Sequence, residues 1–122
     1  KQGPWWEDDS GAVYLLPDAP WSRRVIGALS NELASAAPRR AHAVARRGAG
    51  DVLVVSVRAP IEAPGGAHEL CRRLGGAGGE GAGGIDAMPA DRLDAFVQAF
   101  ARMRWGEQAQ PGERAATEGD AK

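Results

Sequence analysis

The chain has 122 residues, which suits a single compact domain. Fifteen Lys and Arg against sixteen Asp and Glu give a net charge of −1. This balance excludes the basic surface that often covers a nucleic-acid-binding domain. A local basic patch is not excluded, because the arginines cluster in adjacent pairs, although drift in a GC-rich genome explains the same composition equally well. The pairs are Arg23–Arg24, Arg39–Arg40, Arg46–Arg47 and Arg72–Arg73.

Cysteine and histidine are too few for several kinds of site. The single cysteine, Cys71, excludes an internal disulfide, and two histidines exclude a Cys/His zinc site. No apolar run approaches the roughly 18–20 residues of a transmembrane helix, and residues 1–9 lack the apolar core of a signal peptide. The chain is therefore expected to be soluble and cytoplasmic. The sequence does not begin with Met, which would fit a fragment of a longer protein.

The first predicted elements are a strand and a long helix. Residues 1–11 are predicted to be a linker or the end of a missing N-terminal domain, because they are polar apart from two tryptophans. A strand over 12–16 precedes a helix that begins at Asp18 or Pro20 and ends before Pro38. Its apolar residues recur at helical spacing and are expected to face the core. They are Trp21, Val25, Ala28, Leu29, Leu33 and Ala36.

The middle of the chain predicts a hairpin and a short helix. Strands over 41–47 and 52–58 are joined by a turn at Gly48 to Asp51. Two prolines make 59–64 a loop, and 65–74 is predicted to be a short helix.

The last predicted elements follow a glycine-rich loop, Gly75 to Gly84. A short strand covers 85–88, and Pro89 suits the first turn of a second long helix, which extends to residue 105. The tail, 106–122, is predicted to be disordered. Residues 12–105 thus predict an α/β fold, a small mixed sheet packed with two longer helices and one short helix.

Strand 52–58 ends in two polar side chains that share a face. Alternation places Val52, Val54, Ser56 and Arg58 on one side of the strand. Ligands of α/β sheets often bind outside the carboxyl ends of strands. This face is therefore a candidate for ligand binding, and an arginine that emerges into solvent is the simpler alternative.

The glycine-rich stretch is the second candidate. Residues 75–84 contain seven glycines, with Leu74 before them and Ile85 after. Backbone N–H groups in such a stretch can bind an anion. The string from Gly76 to Gly81 matches G-x-G-x-x-G, but a helix precedes it and a strand follows, so it is not a dinucleotide fingerprint. A flexible low-complexity loop is the alternative.

These two features together resemble a known family. Leu74 and the glycines after it resemble the G-G-G-G-H-x-x-A-A-G signature of the DHHA1 domain, the substrate-binding domain of DHH-superfamily phosphoesterases such as RecJ-like exonucleases and nano-RNases. In that family a strand that ends in Ser-x-Arg precedes a short helix, the glycine loop, a strand and a final helix. Ser56-Val57-Arg58 and the elements after it follow this order, and Trp21–Val25 and Arg40–Ala43 are also similar to a bacterial subgroup.

The resemblance implies a phosphate site. Arg58 would pair with a substrate phosphate, Ser56 would add a hydrogen bond, and the N–H groups of Gly76 to Gly79 would close over the ligand. Arg23 and Arg24 would extend the anionic groove. The substrate-binding set is Ser56, Arg58, Gly75, Gly76, Ala77, Gly78, Gly79 and Gly84. The chain departs from the signature because Gly79 stands at the histidine position and the acidic Glu80 follows it.

Catalytic residues are not expected in this chain. DHH phosphoesterases hydrolyse phosphodiesters with two metal ions, Mn²⁺ or Mg²⁺, held in an N-terminal domain by Asp and His, and this chain has no Asp-His-His. Glu7 to Asp9 is expected to be a solvated charge run, His42 a strand histidine, His68 an exposed helix histidine and Cys71 an inert core thiol. The chain alone is therefore expected to be catalytically silent, and to need no cofactor.

The expected function is substrate binding for a metal-dependent phosphoesterase. The substrate would be a nucleotide, a dinucleotide or a short single-stranded nucleic acid, and the missing DHH domain would be the partner in the same protein. A stand-alone nucleotide-binding regulatory module is one alternative. A structural or interaction domain, whose glycine loop packs against a partner chain, is another.

Overall fold

The computed structural model describes residues 3–105, so the predicted tail lies outside the described residues. Within these residues, three pairs of strands alternate with three α-helices. The strands are β1 (Trp6–Asp8), β2 (Gly11–Leu15), β3 (Ala41–Arg47), β4 (Val52–Arg58), β5 (Ala77–Gly78) and β6 (Ala82–Pro89). The helices are α1 (Ser22–Ala36), α2 (Ala67–Arg73) and α3 (Leu93–Arg102), with a 3₁₀ turn at Ala90–Arg92 before α3.

The strands form one mixed sheet in the order β1-β2-β3-β4-β6-β5. Strands β2 and β3 are parallel, because α1 carries the chain back between them, and every other neighbouring pair is antiparallel. A β-bulge interrupts the pairing of β4 with β6 between Leu53 and Val55. The prediction of a small mixed sheet with two longer helices and one short helix is confirmed.

The main core lies on the face of the sheet that α2 and α3 cover. Every second residue of β4, namely Leu53, Val55 and Val57, is buried there. Phe96 and Phe100 of α3 pack on the same cluster. Helix α1 covers the opposite face over β3 and part of β4. Among the described residues, no helix is long and apolar enough to span a bilayer.

Residues 3–11 differ from the predicted linker. Strand β1 forms the edge of the sheet, and the ring of Trp6 packs edge-on against Phe100 with centroids 6.0 Å apart. The N–H of Trp5 also donates to the carbonyl of Val13, at 2.7 Å. Strand β1 was not predicted because two of its three residues are acidic. Edge strands often carry charged residues.

The glycine-rich segment also differs from the predicted loop. Its residues form a tight β-hairpin, β5 and the start of β6, around Glu80 and Gly81. The carbonyls of these two turn residues accept hydrogen bonds from Ala67 N and Ala59 N, at 3.2 and 2.9 Å. The hairpin is therefore tied to the end of β4 and to the first turn of α2.

Candidate functional site

The two polar residues at the end of β4 lie on the same face as α1. Ser56 and Arg58 are half-buried, whereas Val57 between them is buried in the core. This alternation is the one that the sequence predicted. Helix α1 reaches the end of β4 through Asn31, which contacts Arg58.

The Arg58 guanidinium is held by neutral groups. Its Nε donates to Oδ1 of Asn31 at 3.0 Å, and its Nη1 donates to Oγ of Ser56 at 2.9 Å and to the carbonyl of Val57 at 3.2 Å. Within residues 3–105, no carboxylate lies within 4 Å of this guanidinium. Arg58 is thus fixed in orientation while its charge stays uncompensated.

Arg58 lies in a row of residues that crosses the sheet. His42 on β3 pairs with Arg58, and Ala82 on β6 pairs with Arg58 from the other side. The N–H of Gly79 donates to the carbonyl of Ala82 at 2.7 Å, which adds Gly79 to the end of the row. Gly79 occupies the position of the signature's histidine in the predicted alignment, and an added Cβ there would have nothing within 4 Å. The row therefore has room for a larger side chain two strands from Arg58.

His42 is buried beside Arg58, with an exposed fraction of 2%. Its Nδ1 is buried and has no hydrogen-bond partner. Burial and, to a lesser degree, the nearby positive charge of Arg40 lower the pKa of His42 below the usual 6.5, and the carboxylate of Glu7 opposes this shift. The ring is therefore neutral at pH 7.

Arg40, the other arginine near His42, is neutralised by an ion pair with Glu7. Nη2 of Arg40 donates to Oε2 of Glu7 at 2.8 Å and to the carbonyls of Asp8 and Gly11, at 2.7 and 3.0 Å. This network ties β1 to the start of β3. It leaves Arg58, rather than Arg40, as the cation available to a ligand.

The glycines lie beside Arg58 but do not present the predicted cradle. The N–H of Gly76 donates to the carbonyl of Cys71 at 2.7 Å, and that of Gly79 is used within the hairpin. Ala77 and Gly78 belong to β5. The interpretation in which the N–H groups of Gly76 to Gly79 close over a phosphate is therefore wrong for Gly76 and Gly79, because their donors are used inside the fold.

The glycine hairpin instead offers an open surface. Gly84 pairs with Ser56 on one side and with Ala77 on the other, so this part of the sheet carries almost no side chains. A shallow depression of about 580 Å³ lies over it, lined by Gly75, Gly76, Ala77, Gly78, Gly84, Asp86 and Ala87. The glycines thus provide a flat platform between the cation of Arg58 and the carboxylate of Asp86.

The second-tier arginines lie away from this site. Arg23 lies in the first turn of α1. Asn31, which contacts Arg58, comes eight residues later, about 12 Å along the helix axis. Arg23 instead lines a separate depression with Arg46 and Arg47 at the other end of β3. Arg24 is exposed on α1, seven residues before Asn31. The prediction that these two extend the groove is not met by their positions.

Two residues near the site were missed by the sequence reasoning. Asn31 was not singled out in the sequence, and His42 was expected to be a strand histidine. The parallel pairing of β2 with β3 sets α1 across the end of β4, and the β3–β4 register sets His42 opposite Arg58. Register and helix position are tertiary features, so no local signal identified either residue.

The described residues do not form a metal centre. No three His, Cys, Asp or Glu side chains between residues 3 and 105 lie close enough to hold an ion. Neither a protein-family model nor a curated protein sequence matches this chain.

Proposed function

We propose that this chain is a DHHA1-type substrate-binding domain that binds a phosphate-containing ligand, a nucleotide or a short single-stranded nucleic acid. The observation that carries this proposal is Arg58, whose guanidinium is oriented by Asn31 and Ser56 and has no carboxylate partner among residues 3–105. A charged group that is already ordered loses little side-chain entropy when it binds a phosphate. Arg58 is therefore the primary contact.

The ligand extends from Arg58 across the glycine platform. The phosphate lies against Arg58 and Ser56, and the sugar or base lies over Gly84, where the bare backbone leaves room. Asp86 lines the far side of this depression and is exposed. Its carboxylate repels phosphate and accepts hydrogen bonds from a hydroxyl or an amino group, so it favours the uncharged end of a nucleotide.

Catalysis is assigned to a different part of the protein. The proposed phosphoesterase reaction needs a pair of metal ions, which the DHH domain of this family supplies. This chain contributes binding alone, and the cytoplasmic location expected from the sequence belongs to the same proposal.

Titration calorimetry with mononucleotides and short single-stranded oligonucleotides tests the proposal. The wild-type chain is compared with Arg58→Ala. A charge-assisted hydrogen bond is worth about 1.5–3 kcal/mol, so Arg58→Ala is expected to weaken binding about ten- to a hundredfold. Arg39→Ala is the matched control, because Arg39 is exposed and forms an ion pair with Glu62 at 3.2 Å. It is expected to bind like the wild type.

The outcomes separate a specific site from general electrostatic attraction. Equal losses in the Arg58 and Arg39 variants would mean that net charge alone attracts the ligand. An absence of binding in the wild-type chain at millimolar ligand would contradict a preformed site in this domain.

A structural role is the second candidate, and the glycines favour it. A Cβ at Gly76 would overlap the carbonyl of Gly84, and a Cβ at Gly83 would lie 2.9 Å from Sγ of Cys71. Close packing therefore explains part of the glycine content without a ligand. The calorimetry decides between the two candidates, because a purely structural domain binds no phosphodiester.

A further inference from the structure

Helix α1 buries small side chains and leaves its larger apolar residues half-buried or exposed. The residues that it buries are Ser22, Ser30 and Ala34. The two buried hydroxyls donate to backbone carbonyls, that of Ser22 to Pro17 at 2.6 Å and that of Ser30 to Ile26 at 2.7 Å. The buried side chains of α1 are therefore small, and both of their hydroxyl groups have a hydrogen-bond partner. The apolar stripe that was expected in the core is not fully buried: Trp21, Ala28 and Ala36 are exposed, and Val25, Leu29 and Leu33 are half-buried.

The stripe lines an open apolar groove. Trp21 is 42% exposed, Ala28 is exposed, and Val25 and Leu29 are half-buried. The groove has a volume of about 770 Å³, and its lining is mostly apolar. Its opposite wall is the end of β2 and the residues after it, Tyr14, Leu15, Leu16 and Pro17. Contiguous exposed apolar surface of this kind marks an interaction site.

Residues 106–122 have no large apolar side chain to place in the groove. They contain no Val, Leu, Ile, Met, Phe, Tyr or Trp. An occupant has to bring its own apolar side chains. Helix α1 of a second copy brings them.

The charges beside the stripe match a second copy in the antiparallel orientation. Arg24, Ala28 and Glu32 are exposed and follow one another at four-residue spacing, so they form one line on α1. Neither Arg24 nor Glu32 forms an ion pair among the described residues. A two-fold axis at Ala28 places Arg24 of each copy against Glu32 of the other. A parallel arrangement places like charges together.

The centre of the line also allows close approach. Helices pack about 8–10 Å apart, and the smaller separations need small residues at the crossing point. Ala28 supplies one, with the apolar residues beside it on both copies. A two-fold interface is self-complementary by definition, and this surface meets that condition in both charge and shape.

We propose that this groove is the interface of a two-fold dimer in which α1 packs antiparallel against α1 of a second copy. The proposal does not rest on phosphate binding. The two surfaces adjoin, because Asn31, which contacts Arg58, directly precedes Glu32 in α1.

Sedimentation velocity of the 122-residue chain over a range of concentrations tests the dimer. The expected species has twice the 12.8 kDa mass of the chain and dissociates on dilution. Ala28→Arg places a bulky charge at the two-fold axis and is expected to be a monomer. Because Ala28 is exposed, this variant is expected to keep the circular dichroism spectrum and melting temperature of the wild type.

Charge reversal tests the orientation. Arg24→Glu and Glu32→Arg are each expected to weaken the dimer several-fold, and the double variant is expected to restore it. Arg23→Glu is the neighbouring control and is expected to leave the dimer unchanged, since Arg23 lines a different depression. A monomeric wild type would mean that another protein or segment covers the groove. That result, or a dimer that survives Ala28→Arg, would overturn the proposal.

Discussion

Asn31 of α1 accepts a 3.0 Å hydrogen bond from Nε of Arg58, and so joins the helix to the end of a strand 27 residues further along the chain. The contact fixes the plane of the guanidinium without neutralising its charge. An amide at this position therefore leaves the positive charge of Arg58 available to an anion. A carboxylate there would form an internal ion pair with Arg58.

The variant Asn31→Asp is predicted to separate binding from stability. The new carboxylate would pair with Arg58, keep the contact between α1 and β4, and compete with a phosphate for the guanidinium. Nucleotide binding is expected to fall at least tenfold in calorimetry. The free energy of unfolding, from urea denaturation, is expected to stay within about 0.5 kcal/mol of the wild type. Asn31→Ala is the comparison and is expected to lose about 0.5–1.5 kcal/mol of stability with a smaller loss of binding. Stronger binding in Asn31→Asp than in Asn31→Ala would contradict the role given to Arg58.

Two alanine substitutions in the glycine segment are predicted to differ sharply. A Cβ at Gly76 would overlap the carbonyl of Gly84, so Gly76→Ala is expected to force the hairpin from its place and cost about 1–3 kcal/mol. A Cβ at Gly79 would meet nothing within 4 Å, and Gly79→Ala is expected to be close to neutral. Urea denaturation measures both. Equal effects would mean that the hairpin is not packed as described.

The open position of Gly79 also tests the resemblance to the DHHA1 signature. Gly79→His would place an imidazole in the row that contains Arg58 and Ala82, at the position where the signature has histidine. The variant is expected to fold and to bind a mononucleotide several-fold more tightly, with a larger gain at pH 6 than at pH 8 because the imidazolium is cationic. Gly79→Gln is the uncharged control. A gain shared by both variants would point to contact area rather than to a recovered phosphate ligand.

The elements were predictable from the sequence where side-chain pattern and breakers agree. The alternation from Val52 to Arg58 fixed β4, including which face carries Ser56. In α3, Phe96 and Phe100 are four residues apart, the spacing of one helix face, and both lie in the core. The burial of these residues follows directly from the periodicity of the sequence, because each lies on an element with one buried face.

Helix α1 and the glycine segment were predicted less well for physical reasons. In α1 two serines are buried, whereas the apolar stripe lines a groove and is half-buried or exposed, so hydrophobicity did not identify the buried residues. In the hairpin, the need for glycine comes from close approach of backbone atoms, as at Gly76 and Gly84. Such contacts depend on the tertiary structure. Composition suggested a loop because it cannot distinguish a glycine needed for packing from one needed for flexibility.

Cys71 is predicted to be unreactive in the folded chain. It is buried against the hairpin, and burial raises the pKa of its thiol to about 11. The thiolate fraction at pH 8 is therefore about one part in a thousand. A disulfide-exchange reagent is expected to label the native chain only as fast as it opens, and to label one thiol per chain at once in denaturant. Rapid stoichiometric labelling of the native chain would show that α2 and the hairpin do not cover this thiol.

Acid is predicted to destabilise the chain through His42. Burial, helped by Arg40, lowers the pKa of His42 below 6.5 in the folded state, and Glu7 only partly offsets the shift. Between the folded pKa and 6.5 the unfolded chain binds more protons than the folded one, so stability rises with pH in this window. The stabilising contribution is complete above pH 6.5 and is lost as the pH falls through the folded pKa of His42.

Urea midpoints at a series of pH values between 8 and 5 measure this dependence. His42→Gln carries no titrating group and is expected to lose less stability than the wild type as the pH falls below about 6.5. Other ionisable groups lie near the ring, namely Arg40, Glu7 and Arg58 across the pair, and they are the same in both proteins. His68→Gln replaces the other histidine, on α2, and is expected to retain the acid sensitivity of the wild type. Parallel pH profiles for the wild type and His42→Gln would show that the proton is taken up elsewhere.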